Sequence, residues 1–252
     1  MAGRLPQSRD NDAFRIRWKS RFEQFAAERN DDAGIAGWTT SGLETRFREF
    51  RRQWKGAGKS GVWLDVGCGA GTYTRFLNDT GLRIVGVDYS LPTLFKARAR
   101  SGESLEWVVG DVTRLPLKPG TIDGVLCFGV LQAIAETGPA VMEIADVLKP
   151  GGVLWVDALN AKCLPNRIEI LRRRMRKKPA HLHYETESSL RAALNQCGFD
   201  VVSLHYVIIM PARFRRLQFL ADSAFGRRLL RLSSLVAGWM AHSVLIEASR
   251  RD

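Results

Sequence analysis

The stretch from Leu64 to Leu77, which reads LDVGCGAGTYTRFL, restricts the fold of this chain more than any other. An apolar run over residues 62–66 stops at three alternating glycines, Gly67, Gly69 and Gly71, and a helical pattern follows them. Glycine accepts a positive φ and lets a ligand lie against the backbone, and the start of the next helix offers unpaired N–H groups. The sequence therefore predicts a strand, a tight turn and a helix that cradle a nucleotide-like cofactor.

The residues around the glycines narrow the choice of cofactor. The dinucleotide pattern G-x-G-x-x-G needs a glycine where this chain has Thr72, and a Tyr-x-x-x-Lys pair is also lacking, so a nicotinamide dehydrogenase is a weaker alternative. Asp65 before the turn, the alternating glycines and Asp88 in the segment VGVDYS resemble the first two motifs of class I S-adenosylmethionine-dependent methyltransferases. A carboxylate at the end of the second strand can accept both ribose hydroxyls. The alternative for Asp88 is a surface side chain that caps the helix beginning near Ser90.

Short β-branched runs alternate with amphipathic helices between residues 61 and 159. This alternation predicts an α/β fold with a doubly wound parallel sheet whose ligands bind at the carboxyl ends of the strands. The LKPGG element at residues 148–152 and the segment at residues 184–199 are similar to further elements of the family. The resemblance implies a seven-stranded, mainly parallel, Rossmann-like methyltransferase sheet, whose last strand, His242 to Ala248, is antiparallel to strand six.

We expect three regions along the chain: N-terminal helices or a lid at 1–60, the cofactor-binding core at 61–159, and the rest of the sheet at 160–252. The third region includes two helical insertions that would cap the substrate, at about 160–183 and 211–239.

The resemblance implies S-adenosylmethionine as the cofactor and places its contacts at the strand ends. An acid at the position of Asp111 hydrogen-bonds the adenine amine in this family, and Val112 would cover the ring. The alternative for Asp111 is a turn residue before Thr113. The residues predicted to bind the cofactor are Asp65, Gly67, Cys68, Gly69, Gly71, Asp88, Tyr89, Asp111, Val112, Phe128 and Gly129.

Transfer of a methyl group from a sulfonium depends mainly on alignment and on exclusion of water, so no universal catalytic residue is required. This chain has Gln132 where many family members have histidine, which removes one candidate base and makes Gln132 a candidate substrate contact. His183 and Tyr184 are the preferred candidates for a base, because they precede the predicted fifth helix at the cap edge. The alternatives are His181 and His205, then the acids Glu136 and Asp157 near strand ends, and each histidine or tyrosine candidate can instead be a surface or structural residue. The four cysteines form no C-x-x-C pair, and the sequence predicts no metal site.

Four aromatic residues near the N-terminus recur at helical spacing and predict a helix with one aromatic face. This helix is either an arm packed on the main domain or a lid over cofactor and substrate. In the second case Trp18 is a candidate substrate contact. The four residues are Phe14, Trp18, Phe22 and Phe25.

The net charge of +12 is unevenly distributed. Residues 61–159 carry 8 basic and 11 acidic side chains, whereas residues 160–232 carry 15 basic and 5 acidic ones. The first basic insertion has Ile168, Leu171 and Met175 on one helical face. Three interpretations remain open: an ordinary buried stripe beside solvated charge, recognition of an anionic or lipid-like substrate or membrane surface, and RNA binding. RNA is disfavoured because the chain has no recognisable RNA-binding module.

The sequence thus predicts an S-adenosylmethionine-dependent methyltransferase that acts on a small molecule, anionic or lipid-like, by in-line displacement. The alternatives are an RNA methyltransferase and a non-catalytic relative that only binds the cofactor. No signal peptide or membrane-spanning run is evident, so a cytoplasmic protein with peripheral contact to an anionic membrane is expected.

Overall fold

The computed structural model describes residues 9–56, 60–178, 181–210, 216, 218–223 and 234–252. Its strands are β1 (Val62–Val66), β2 (Arg83–Asp88), β3 (Glu106–Val109), β4 (Ile122–Cys127), β5 (Leu148–Leu159), β6 (Phe199–Val207) and β7 (Ser243–Arg250). They form one seven-stranded sheet in the order β3-β2-β1-β4-β5-β7-β6. Strands β1 to β5 pair in parallel, and β7 runs antiparallel to both β5 and β6. The predicted fold class and the antiparallel last strand are confirmed.

The described helices are α1 (Arg9–Glu28), α2 (Asp32–Ile35), α3 (Thr40–Gln53), α4 (Thr72–Asp79), α5 (Leu91–Ala99), α6 (Thr137–Val147), α7 (Leu164–Met175), α8 (Glu187–Gln196), α9 (Gln218–Asp222) and α10 (Ser234–Met240). A short 3-10 helix covers Leu131–Ala133. None of these described helices is both long and apolar enough to cross a membrane.

Both faces of the sheet carry apolar side chains. Successive side chains of a strand point to opposite sides, so neighbouring residues belong to different faces. In β1, Leu64 belongs to the buried cluster that includes Ile144 of α6 and Leu190 of α8. Its neighbour Trp63 belongs to a second cluster with Phe50 of α3 and Leu77 of α4. The layer of α6 and α8 therefore covers one face, and the layer of α3 and α4 covers the other.

One part of the chain differs from the expectation based on sequence, and the structure does not describe most of another. From its polar residues we expect a turn over the segment 30–37, but it contains the helix α2, whose Ala33 and Ile35 are buried. Most of the second basic insertion, 211–239, lies outside the described residues.

Candidate active site

The glycine turn after β1 has the backbone that the sequence predicts. Gly67, Gly69 and Gly71 have φ values of 70°, 54° and 81°. A Cβ at Gly67 would lie 2.2 Å from Cγ2 of Val130, so this position also lacks space for any side chain. The glycines therefore keep the carboxyl end of β1 open and let the backbone itself form a wall.

Asp88, at the end of β2, is buried and tied to the glycine turn. Its Oδ2 accepts a hydrogen bond of 3.0 Å from the Gly69 N–H, and its Oδ1 accepts one of 2.9 Å from the Ser90 N–H. The alternative of a surface capping residue is wrong, because Asp88 is only 8% exposed. A carboxylate offers about four lone-pair sites. Asp88 lines the cavity, and lone pairs of its carboxylate that these backbone bonds leave unused can accept from a ligand's hydroxyl groups.

Asp111 follows β3 and lines the same cavity. Its Oδ1 accepts hydrogen bonds from the Thr113 N–H at 2.9 Å and from the Thr113 hydroxyl at 2.7 Å. Its Oδ2 lies 3.8 Å from Nη1 of Arg15 on α1. Asp111 is thus a turn residue and also an acceptor that faces the cavity, beside the buried Val112.

These residues surround a cavity of about 550 Å³ at the carboxyl ends of the parallel strands. Its polar floor comes from the ends of β1, β2 and β3, and its other walls come from α1, α2, α3 and the segment after β4. Five acids (Asp32, Asp65, Asp88, Asp111 and Glu136) and two basic residues (Arg15 and Lys19) belong to the lining, and much of the remaining surface is apolar. The apolar lining includes Ile16, Trp18, Phe22, Ile35, Trp38, Leu43, Phe128, Val130 and Ile134.

Two carboxyl groups near the turn have raised pKa values. Burial, with a smaller contribution from the nearby Asp88, raises the pKa of Asp65 to about 7, although a hydrogen bond from the Thr74 hydroxyl (2.6 Å) opposes the shift. Burial likewise raises the pKa of Asp88 to about 6, against hydrogen bonds from Ser90 and Gly69. Desolvation disfavours the charged form, so both acids titrate closer to neutrality than an ordinary aspartate.

Helix α1 closes one side of the cavity and is anchored at several points. The Trp18 indole N–H donates to the carbonyl oxygen of His181 at 3.1 Å, and the Phe22 ring meets the Tyr89 ring edge to face at 5.9 Å. The Asn11 amide donates to Glu136 at 2.6 Å. The N-terminal helix is therefore packed on the domain, and it also covers the cavity, so the two interpretations of this helix are compatible.

Helix α2 closes the cavity beside the glycine turn, a role that the sequence did not predict. Asp32 accepts a hydrogen bond of 2.6 Å from the Thr72 hydroxyl at the start of α4, and it pairs with Arg75 one turn later. The sequence does contain one signal for the start of α2. Asp31 is its N-cap, and the Asp31 side chain accepts from the Gly34 N–H at 2.8 Å.

A buried ion pair supports the wall formed by Trp38 and Gly129. Nε of Arg46 donates to Oδ2 of Asp157 at 3.2 Å, and Oδ1 of Asp157 accepts from the Gly129 N–H at 2.6 Å. The Arg46 guanidinium lies 4.2 Å from the centre of the Trp38 ring. Gly129 has a φ of 75°, and a Cβ there would lie 2.3 Å from the Trp38 ring. Arg46 and Asp157 therefore fix two residues that face the cavity.

His242 lies on the far side of the same arginine. Nη2 of Arg46 donates to Nδ1 of His242 at 3.2 Å. Burial, together with the charge of Arg46, lowers the pKa of His242 to about 3. The imidazole is therefore neutral at physiological pH and accepts from the guanidinium.

Most of the predicted cofactor residues line the cavity, and one does not. Gly71 lies outside the lining, because its space is limited by Trp107, whose ring a Cβ would approach to 2.5 Å. Its positive φ serves the start of α4. The predicted residues that do line the cavity are Asp65, Gly67, Cys68, Gly69, Asp88, Tyr89, Asp111, Val112, Phe128 and Gly129, together with the predicted substrate contact Trp18.

The structure does not bring Gln132, His183 or Tyr184 to the cavity. His183 Nε2 lies 2.9 Å from Glu185 Oε1, and the His183 N–H donates to the carbonyl oxygen of Gln132. Burial raises the pKa of Tyr184, so less of the phenolate form that could act as a base is present near neutral pH. Proximity along the chain to the fifth helix was therefore a misleading signal, since a local hydrogen-bonded cluster holds His183.

Comparisons with known proteins agree with this geometry. Residues 64–156 match the model of the Methyltransferase domain family. A demethylmenaquinone methyltransferase of Corynebacterium kroppenstedtii is 31% identical over 126 residues, which are 50% of this chain and 54% of that protein. The chain spans about half the length, or less, of the curated relatives that it matches first.

Solved structures share the fold. An S-adenosylmethionine-dependent methyltransferase of Thermotoga maritima superposes with a TM-score of 0.64 at 16% identity, covering 93% of this chain and all of that one. The magnesium protoporphyrin IX methyltransferase of Synechocystis, solved with bound SAH, gives a TM-score of 0.60 at 16% identity and covers 96% of this chain and 99% of that one. At these identities the likeness concerns the fold alone.

Proposed function

We propose that this protein transfers a methyl group to an apolar small molecule, since its residues 64–156 match the model of the Methyltransferase domain family. The observation that carries the proposal is the shared cavity. The glycine turn, Asp88 and Asp111 form its polar floor, and a largely apolar wall faces them.

The residues of the floor fit S-adenosylmethionine. Gly67 and Gly69 leave the backbone bare, where a Cβ at Gly67 would collide with Val130. Asp88 offers unused lone pairs to ribose hydroxyls, and Asp111 offers a carboxylate to the adenine amine. The buried acids Asp65 and Asp88 also suit a cationic ligand better than a pyrophosphate. When bound, the cofactor supplies a methyl group that its sulfonium has already activated.

The protein's contribution is then to orient the acceptor and to exclude water. Helix α1 and helix α2 cover the cavity, and their side chains bond to the rest of the domain through Trp18 and Asp32. No histidine lines the cavity in the part of the chain that the structure describes. We infer that alignment supplies most of the rate, and that a proton lost by the acceptor passes to solvent or to a carboxylate of the lining such as Glu136.

The wall opposite the acids indicates the acceptor class. Trp38, Leu43 and Phe128 line this wall with few polar atoms, and the buried Arg46–Asp157 pair holds Trp38 and Gly129 in place. An apolar or aromatic acceptor body would bury the most surface there.

Turnover tests the proposal. The purified chain is incubated with S-adenosylmethionine that carries a radiolabelled methyl group and with a panel of phenols, quinols, aromatic amines and fatty acids. We expect label in an organic-extractable product and equimolar S-adenosylhomocysteine for at least one apolar acceptor. Asp79→Ala, which changes an exposed acid at the end of α4, serves as the control and should retain activity. Tight cofactor binding without transfer to any acceptor of the panel would contradict catalysis and favour a relative that only binds the cofactor.

The pKa of Asp88 predicts how cofactor affinity depends on pH. Ribose hydroxyls donate to the ionised carboxylate, so binding favours the charged form and lowers the pKa of Asp88 below its unliganded value of about 6. The dissociation constant of S-adenosylhomocysteine should therefore vary little above pH 7 and should rise by up to about tenfold per pH unit below pH 6. Calorimetry from pH 5 to pH 8 measures this. An affinity that is flat over the whole range would show that Asp88 does not take part.

A further inference from the structure

Helix α7 is oriented with its apolar side towards solvent. Leu164, Ile168, Leu171 and Met175 recur at intervals of four, three and four residues, and they are 57%, 49%, 57% and 75% exposed. At about 100° per residue they share one face of the helix. An ordinary amphipathic helix would bury such a stripe against the core. The interpretation of an ordinary buried stripe is therefore wrong for α7.

Polar side chains fill the inward side of α7. Asn166 is buried, and its amide donates to the carbonyl oxygens of Asn160 at 2.9 Å and of His242 at 3.2 Å. One and two turns later, Glu169 and Arg173 pair at 2.8 Å on the same side. By the same helical spacing, these polar residues lie roughly opposite the apolar stripe. The helix is thus attached by hydrogen bonds and leaves its apolar face unused by the described part of the domain.

Basic residues flank the exposed stripe. Residues 164–178 contain seven arginines and lysines and one acid. Arg167 and Arg174 fall on one edge of the stripe and Arg172 on the other, and all three are exposed. An apolar strip between two rows of cations is complementary to a surface that carries anions above hydrocarbon.

The start of α7 adjoins a second exposed apolar element, α10. The Cys163 thiol lies 3.7 Å from the carbonyl oxygen of Met240, and the Asn160 amide donates to the carbonyl oxygen of Gly238 at 2.6 Å. Trp239 and Met240 are exposed there. Tryptophan is enriched where proteins meet the interface of a bilayer.

We propose that α7 docks the protein on an anionic lipid bilayer, with Leu164, Ile168, Leu171 and Met175 in the interface and the flanking arginines on lipid headgroups. A bilayer fits better than RNA, because a nucleic acid offers phosphates to arginine but no hydrocarbon for four aliphatic side chains. The proposal is independent of the methyl-transfer activity, since none of the four residues lines the cavity.

Vesicle sedimentation with the full chain tests this docking. Vesicles of phosphatidylcholine alone are compared with vesicles of equal parts phosphatidylcholine and phosphatidylglycerol, at about 0.05 M and about 0.5 M salt. We expect at least about tenfold stronger partition to the anionic vesicles at low salt, since each basic residue near the surface adds to binding. High salt should weaken the partition.

Matched variants separate insertion from simple charge attraction. Ile168→Glu with Leu171→Glu should reduce partition at least about tenfold. Met142→Glu with Val202→Glu introduces the same charges at exposed apolar sites elsewhere and should reduce partition much less. Arg172→Gln with Arg174→Gln should also weaken binding, and Arg98→Gln with Lys55→Gln is its control for exposed charge. Equal melting temperatures of all variants would show that they fold.

Three results would overturn the proposal. One is an absence of partition to anionic vesicles at low salt. Another is equal loss of partition in the α7 variant and in its Met142/Val202 control. The third is binding of single-stranded RNA, or self-association in light scattering, that depends on α7 while the vesicles stay unbound. Binding of RNA would assign α7 to a nucleic acid, and self-association would assign it to a second copy of the chain.

Discussion

Asp88→Ala is expected to raise the dissociation constant of S-adenosylhomocysteine about 100-fold or more. The buried carboxylate at the end of β2 already accepts from Gly69 and Ser90, and its remaining lone pairs face the cavity. Two ribose hydroxyls would lose a charged acceptor, and each such hydrogen bond contributes about 1.5–3 kcal/mol. Since about 1.4 kcal/mol corresponds to a factor of ten, the two together exceed a factor of about 100.

Calorimetry with S-adenosylhomocysteine measures this change. Asp79→Ala removes an exposed acid of the neighbouring helix α4 and should leave the affinity unchanged. Because Asp88→Ala also frees two backbone N–H groups, a thermal melt of the variant must show a cooperative transition before its affinity is interpreted. Unchanged affinity in a folded Asp88→Ala protein would remove this residue from the cofactor site.

Arg46→Met is expected to lower the free energy of unfolding by about 3–5 kcal/mol, which is typical when one partner of a buried ion pair is removed. The substitution leaves Asp157 buried and without its cation. Burial already raises the pKa of Asp157, and the charge of Arg46 opposes that shift. Without Arg46 the carboxyl must either stay charged in an apolar site or take up a proton. For a chain of this length the melting temperature should fall by about 6–20 °C.

Arg48→Met is the matched control on the same helix. Arg48 pairs with Asp222 at 2.7 Å, but both side chains are partly exposed, so the loss should stay below about 1 kcal/mol. Arg46→Met combined with Asp157→Asn should be more stable than Arg46→Met alone, because an amide oxygen can still accept from Gly129 and no charge is stranded. Equal melting temperatures for Arg46→Met and Arg48→Met would show that the buried pair does not support the fold.

The first three strands were predictable because each is a short apolar run that ends at glycine or an acid. The run at residues 62–66 coincides with β1, and Asp88 ends the second strand, β2, as predicted. Once those strands are parallel, Asp88 and Asp111 must lie at the same edge. The order of the strands thus places both acids at one edge, and the family resemblance assigns them to the cofactor.

The covering elements were not predictable in the same way. Helix α2 is four residues long, too short for periodicity to identify, and its role depends on Asp32 reaching Thr72 across the turn. The partner of Arg46 lies 111 residues away along the chain, so no local pattern pairs it with Asp157. Contacts of this kind depend on tertiary packing.

For helix α7, the sequence predicted an apolar face but not its environment. Periodicity identified Ile168, Leu171 and Met175 as one face, but it cannot say whether that face meets the core or the solvent. The deciding signal is Asn166, a polar residue that finds two backbone acceptors on the inward side. The prediction that His183 is a base has a similar limit, because sequence position did not show which partner its side chain contacts. Its Nε2 lies beside Glu185, two residues away, and His183 does not line the cavity.

Calorimetric titration of the wild-type protein with S-adenosylhomocysteine and, separately, with NADH is the most direct test of the cofactor class. We predict saturable binding of S-adenosylhomocysteine at one site per chain and no binding of NADH, because the glycine turn and the two acids suit a ribose and a cationic amino acid end without a pyrophosphate. Saturable binding of NADH with none of S-adenosylhomocysteine would contradict the assignment.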